Sequence, residues 1–194
     1  MKGIEQVRVE QPVLAVELLV RAAASGDREA FADLYERYLE RVFRYFYYRL
    51  GHKQEAEDLT EQVFLKAWQA LPSYDQRGTP FLAWLYRIAH NLLIDYRRTK
   101  REAASLDDVP ELPQGGDGAL DPVMARAEAR ELSAAVARLS PLEQSVVTLR
   151  FVAGLEHREV AAIVGKSEVA TRAIQSRALA RLARLLGARE EGLR

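Results

Sequence analysis

Apolar side chains recur every three or four residues along most of this 194-residue chain, and no stretch alternates as a strand would. Behind Asp27, a side chain suited to capping a helix, Phe31, Leu34, Tyr35, Tyr38, Val42, Phe43 and Phe46 share one helical stripe, which Gly51 ends. A second helix is predicted from Gln54 to Leu71, with Ala56, Leu59, Val63, Ala67 and Trp68 on its inner side and Pro72 just beyond it. A polar loop, Ser73 to Gly78, leads to Thr79-Pro80. That pair reads as a cap followed by proline in the first helical position, opening a helix that runs to Arg101. Residues 1–24 form an N-terminal extension that adds at most a short helix.

The pattern restarts at Asp121-Pro122, another cap-and-proline pair, with a helix ending near Leu139. Ser140-Pro141-Leu142-Glu143 combines a capping box with a first-position proline and opens a helix that should end at Gly154. A short helix from Glu156 to Val164, a tight turn at Gly165-Lys166 and a last helix capped by Ser167 and running to Leu186 complete the pattern. Short helix, glycine turn and longer helix in that order make a helix-turn-helix unit.

Composition divides the chain in the same place. Of the aromatic residues only Phe151 lies outside the stretch 31–96, so the first module has an aromatic core and the second an aliphatic one. That contrast suits two separately packed units. Between them, residues 102–122 hold Pro110, Pro113, Pro122, Gly115, Gly116 and Gly118, and carry six acidic residues without a base. The expected fold class is therefore all-α: two small helical domains, at 25–101 and 123–187, joined by a flexible acidic linker at 102–122, with a short tail at 188–194.

The formal net charge of +0 is a cancellation. Residues 77–101 carry Arg77, Arg87, Arg97, Arg98, Lys100 and Arg101 against Asp95, and residues 166–186 carry Lys166, Arg172, Arg177, Arg181 and Arg184 against Glu168. Two basic patches on helices, flanking an acidic spacer, point to nucleic acid. On the last helix Ala170, Ile174, Ala178, Leu182 and Leu185 face inward, leaving Glu168, Arg172, Gln175 and Ser176 outward with Arg177 alongside. Small residues interleaved with guanidinium and amide donors fit the major groove of duplex DNA. The other patch, with Arg77, Thr79, Trp84, Arg87, His90, Asn91, Arg97 and Arg98, mixes aromatics, an amide and cations as a single-strand site does.

Catalysis finds little support. Without cysteine there is no thiolate nucleophile or cysteine zinc site, and His52, His90 and His157 are scattered without metal-ligand spacing. His157 and Glu159 give a His-x-Glu without the Pro-Cys-x-x-Cys of a zinc deaminase. The residues thus call for no enzyme, cofactor or metal. With no membrane-spanning run and no signal-like core at the N-terminus, the reading is cytoplasmic.

The segments from Glu57-Asp58-Leu59 to Ala67-Trp68 and from Phe81-Leu82-Ala83-Trp84 to His90-Asn91 resemble the second conserved region of bacterial sigma factors of the sigma-70 family. The compact extracytoplasmic-function, or group four, type is the most similar. Leu139-Ser140-Pro141-Leu142-Glu143 and the helix-turn-helix resemble that family's fourth region, and the likeness runs from about Ser25 to Leu186. It implies a transcription initiation factor that docks on core RNA polymerase through Asp58, Glu61, Gln62 and Phe64, on the clamp helices of the largest subunit, with a second contact at the flap region. It implies that the loop 73–80 and the following helix open the minus-ten element, Asn91 meeting a flipped base and Arg77, Arg87, Arg97 and Arg98 the strand backbone, with Thr79, Trp84 and His90 beside them. Ser167, Glu168, Arg172, Gln175, Ser176 and Arg177 would meet the minus-thirty-five element as duplex, and an anti-sigma factor would be the regulatory partner. Two departures stand out: Glu61-Gln62 reverses the commoner order, and Ile174 occupies the place of a customary arginine. The alternative reading is a stand-alone helix-turn-helix regulator binding duplex operator DNA, which accounts for the C-terminal module alone.

Overall fold

The computed structural model describes residues 15–75, 78–104 and 123–190. Among them the chain is helical with no strand. Helix α1 spans residues 15–24, α2 Arg28–Leu50 and α3 Lys53–Ala70, which a 3-10 turn at Leu71–Ser73 closes. Helix α4 is Phe81–Ala104, α5 Val123–Ala137, α6 Pro141–Val147, α7 His157–Val164 and α8 Glu168–Glu190. The helix assigned to residues 79–101 thus continues three residues into the stretch read as linker. The rest of the linker, the first fourteen residues and Arg77 lie outside the described residues.

Local chemistry sets the boundaries. The Asp27 carboxylate accepts from the backbone N–H of Glu29 and Ala30, at 2.9 and 3.1 Å, and caps α2. Ser140 and Glu143 form the reciprocal capping box of α6, with Ser140 N–H donating to Glu143 Oε2 at 2.9 Å and Glu143 N–H to Ser140 Oγ at 3.3 Å. After α6 the chain widens into a π-helical turn, Thr148–Val152, which brings Ala153 N–H to the Thr148 carbonyl. Gly165, at φ 65°, takes the left-handed conformation that turns α7 into α8.

The N-terminal helices enclose an aromatic interior. Tyr45, Phe46, Tyr86, Leu34, Leu85 and Leu93 are fully buried, and edge-on or tilted ring pairs tie α2 to α3 and α4: Phe31 to Trp68 at 4.8 Å, Tyr35 to Phe64 at 4.7 Å and Tyr45 to Tyr86 at 5.5 Å. Helix α1 joins this interior through Val20 and Ala23. Both helical domains are present, but they are not packed separately. The same apolar cluster continues through Val146, Leu149, Ala153, Leu155, Val160 and Ile174 of the C-terminal domain, while a smaller cluster holds α5 and α8 together through Ala135, Val136, Leu139, Val147, Ala178 and Leu182. Composition predicted two cores because aromatic and aliphatic residues segregate along the chain. Packing overrides that segregation, since apolar faces of either kind are removed from water equally well by each other.

Candidate nucleic-acid interface

Helix α4 has two functional faces, and the spacing of its polar residues decides which face each occupies. Arg87, Asn91 and Arg98 follow one another at intervals of four and seven, so they share a stripe, and all are exposed. Trp84 extends that stripe toward the helix start, half-buried against Tyr74 at 4.8 Å and Phe81 at 5.6 Å. The Tyr74 hydroxyl donates to the Thr79 carbonyl, which folds the loop end back onto the helix. Burial, with Asp75 and Glu17 nearby, pushes that phenol up to about 12, so it remains a donor at neutral pH. Arg98 pairs with Asp95 at 3.1 Å in the open, an exposed ion pair of small energetic weight. Asn91 makes no such commitment of α4 to itself; it stands exposed between two arginines, a geometry suited to a base edge flanked by phosphates.

His90 and Arg97, also seven residues apart, lie on the other face. His90 is buried, its Nδ1 3.3 Å from the Tyr45 hydroxyl, and desolvation followed by Arg49 and Arg97 pushes its pKa down to about 4. It is therefore neutral near pH 7. Arg97 donates to the Arg49 carbonyl at 2.8 Å and to Gln144 Oε1 at 2.9 Å, across the boundary between the domains. The sequence reading grouped all these residues as one patch. Helical phase separates the two sets, and the tie from Arg97 to Gln144 is what only the tertiary fold supplies.

The last helix displays its set more simply. Thr171, Ile174, Ala178 and Leu182 are buried, so Glu168, Arg172, Ser176 and Arg177 fall outward, and Val169 is 78% exposed. Ser167 Oγ accepts from Ala170 N–H at 3.2 Å and caps the helix. Arg172 and Glu168 form an ion pair one turn apart. Ile174 points into the shared interior, which explains an apolar residue there. Gln175 is half-buried and its Oε1 is enclosed without a hydrogen-bond partner among the described residues. It borders the exposed set without belonging wholly to it.

On α3, Asp58, Glu61 and Gln62 are exposed on one side, with Asp58 accepting from the Gln54 amide at 3.1 Å. Phe64 turns inward and is 4% exposed, edge-on to Tyr35. The exposed apolar residue of that side is instead Leu65, 58% exposed and one turn after Glu61, which sequence reasoning missed. The signal was present: in a helix whose inner stripe is Leu59, Val63 and Ala67, a leucine at 65 has no inward place.

The family model described as Sigma-70 region 2 matches residues 34–103, and that described as Sigma-70, region 4 matches residues 135–184. The chain is 39% identical to the ECF RNA polymerase sigma factor BldN of Streptomyces coelicolor over 176 residues, covering 87% of this chain and 64% of that protein's length. It is 32% identical to the ECF RNA polymerase sigma factor SigD of Mycobacterium tuberculosis over 173 residues, covering 86% of this chain and 82% of the other. Among solved structures, that of CnrH in complex with the cytosolic domain of CnrY matches with a TM-score of 0.71 at 27% identity, covering 90% of this chain and 98% of that one.

Proposed function

The chain belongs to the sigma-70 family as an extracytoplasmic-function sigma factor, a transcription initiation factor, and from that premise we propose how its surfaces divide the work. The exposed stripe of α4, Trp84, Arg87, Asn91 and Arg98, holds the opened minus-ten strand: the ring offers a stacking face, the arginines track phosphates and Asn91 reads a base edge. Arg77 and Thr79 lie at the entrance to that stripe in sequence, and His90 and Arg97 behind it. The exposed face of α8, with Glu168, Arg172, Ser176 and Arg177, lies in the major groove of the minus-thirty-five element, where Gln175 and Ser167 flank it. Asp58, Glu61, Gln62 and Leu65 form the polymerase-facing side of α3, stiffened from beneath by Phe64.

The observation that carries this reading is the α4 stripe, because an asparagine between exposed arginines on a rigid, half-buried helix serves no packing purpose. A stand-alone operator-binding regulator needs no such surface. CnrH is captured with the cytosolic domain of CnrY, and by that likeness we propose an anti-sigma factor as the regulatory partner of this chain. None of the described helices is long and apolar enough to cross a membrane, and we place the protein in the cytoplasm with polymerase, acting without catalysis of its own. Run-off transcription with core polymerase on promoters selected by the protein tests the reading. Asn91→Ala should impair strand opening, followed by permanganate reactivity, and leave polymerase binding intact. Loss of polymerase binding in that variant would show Asn91 to be a packing residue and sink the assignment.

A further inference from the structure

The boundary between the two domains sets two guanidinium groups, one buried and one half-buried, on one neutral oxygen. Arg49, 5% exposed near the end of α2, donates Nε–H to Gln144 Oε1 at 3.3 Å and Nη1–H to the Tyr45 hydroxyl at 3.2 Å. Arg97 of α4 donates to the same Gln144 oxygen at 2.9 Å. Among the described residues neither is hydrogen-bonded to a carboxylate. Gln144 is itself 5% exposed and held from its own side, its amide donating to the Ala137 and Leu139 carbonyls at 3.2 and 3.0 Å. Buried cations ordinarily sit against anions, because a neutral acceptor returns only part of the hydration they lose. Burial accordingly pushes Arg49 below its ordinary value and Arg97 down to about 10. Beside the pair an open cleft of 890 Å³ leads to solvent along Arg98 and Arg101. Two further polar ties across the boundary are also neutral-acceptor bonds: Arg41 to the Ala153 carbonyl at 2.6 Å and Ser133 to the Tyr47 carbonyl at 3.3 Å.

We infer that Gln144 is a clasp that holds the two domains closed, and that the closed form withholds Arg97 and His90 from nucleic acid until phosphate takes the place of the glutamine oxygen. The inference rests on the reading of α4 as the strand-holding helix. The chemistry favours exchange in that direction. An anionic oxygen adds Coulomb attraction to the guanidinium that a neutral oxygen lacks, and planar guanidinium grips phosphate at two points. The clasp is thus strong enough to organise the free protein and weak enough for a nucleic acid backbone to displace. A carboxylate at position 144 would hold the same arginines far more firmly, and glutamine keeps the contact reversible. Closure and strand binding then compete for the Arg97 guanidinium, so each opposes the other by the same factor.

The chain lacks cysteine, so a dye pair on the exposed positions Glu36→Cys and Ala183→Cys reports the interdomain distance of the otherwise intact protein. Gln144→Ala and Arg49→Met break the clasp from opposite sides, and neither residue belongs to the proposed DNA or polymerase surfaces. Both should widen the distance and raise run-off transcription at limiting protein by about three- to tenfold, the reach of one or two such hydrogen bonds. Circular dichroism checks that helix content is retained. Should either variant fold poorly, the wild-type dye pair decides: its distance must widen when core polymerase and promoter DNA are added. An unchanged wild-type distance on engagement, unchanged distances in both folded variants, or widening without a gain in transcription overturns the clasp. Failure of the strand-holding reading registers separately, as an Asn91→Ala protein that opens promoters normally.

Discussion

Helices α4 and α8 both carry arginines along an exposed stripe, yet the chain holds them in place by different means. Over its first half, helix α4 buries Phe81, Ala83, Leu85, Tyr86, Ala89, Leu92 and Leu93, so there it is wrapped on most of its circumference and only a narrow strip reaches solvent. Helix α8 buries Thr171, Ile174, Ala178 and Leu182, one residue per turn, and leaves the remainder open. A helix that must stay in position while a base is extracted from the stack resists displacement through many contacts. A helix that enters a preformed groove needs only a correct angle and a free face. The surface of α8 can consequently change its target without disturbing the fold, whereas most positions on α4 serve fold and function together.

The sharpest way to break this comparison is to remove an inward apolar group from α4 and an outward one from α8. Leu93→Ala, at a position fully buried among both domains, should cost about 2–5 kcal/mol by denaturant unfolding, through lost transfer energy and the cavity left behind. Val169→Ala on α8 removes a side chain that is 78% exposed and should change stability by less than about 0.5 kcal/mol. Similar costs for the two would mean that α4 is no more firmly embedded than α8.

Recognition should show the reverse ordering. Arg172 is exposed and its partner is Glu168 on the same helix, so its loss disturbs no packing. Arg172→Ala should lower the preference for the cognate upstream element by about 1–3 kcal/mol in competition binding with polymerase present, while the unfolding midpoint stays put. An equal loss on cognate and scrambled elements would make Arg172 a phosphate contact and move base readout elsewhere on α8.

How far the sequence revealed these differences depended on whether the deciding contact was local. The caps at Asp27 and Ser140, the Gly165 turn and the inward stripe of α8 follow from residues a few positions apart, and the periodicity of Ile174, Ala178 and Leu182 was legible as it stood. That the face of His90 and Arg97 is covered was not legible, because the cover comes from Tyr45 and Gln144, and a glutamine in an ordinary helix start carries no mark of a long-range role. Phe64 was assigned to the polymerase surface and lies in the interior, since the resemblance marks a position as distinctive without saying whether its side chain faces in or out. The shared interior was hidden for a related reason: composition reports what kind of core each half can make, and says nothing of whether the halves meet.

The smallest expected effect concerns pH, and it separates the helices by what each has buried. Helix α4 encloses a histidine, and the buried side chains described on α8 are Thr171, Ile174, Ala178 and Leu182, none of which titrates. His90 is held neutral, its pKa lowered from the ordinary 6.5 to about 4 by burial and by Arg49 and Arg97. A depressed folded-state value means that the unfolded chain binds the proton first. Its contribution is therefore fully present above about pH 6.5 and is lost progressively as pH falls toward 4. Protonation would also set a third positive charge beside the two guanidiniums of the clasp, so acid should loosen the domain boundary before it disturbs α8. His90→Gln retains a hydrogen-bonding partner for the Tyr45 hydroxyl and removes the titration. The variant should lose less of its thermal midpoint than the wild type between pH 7 and pH 5, while carboxylates elsewhere affect both proteins alike. Parallel midpoints over that window would show that His90 gains its proton without cost, and that burial on α4 confers no sensitivity to acid.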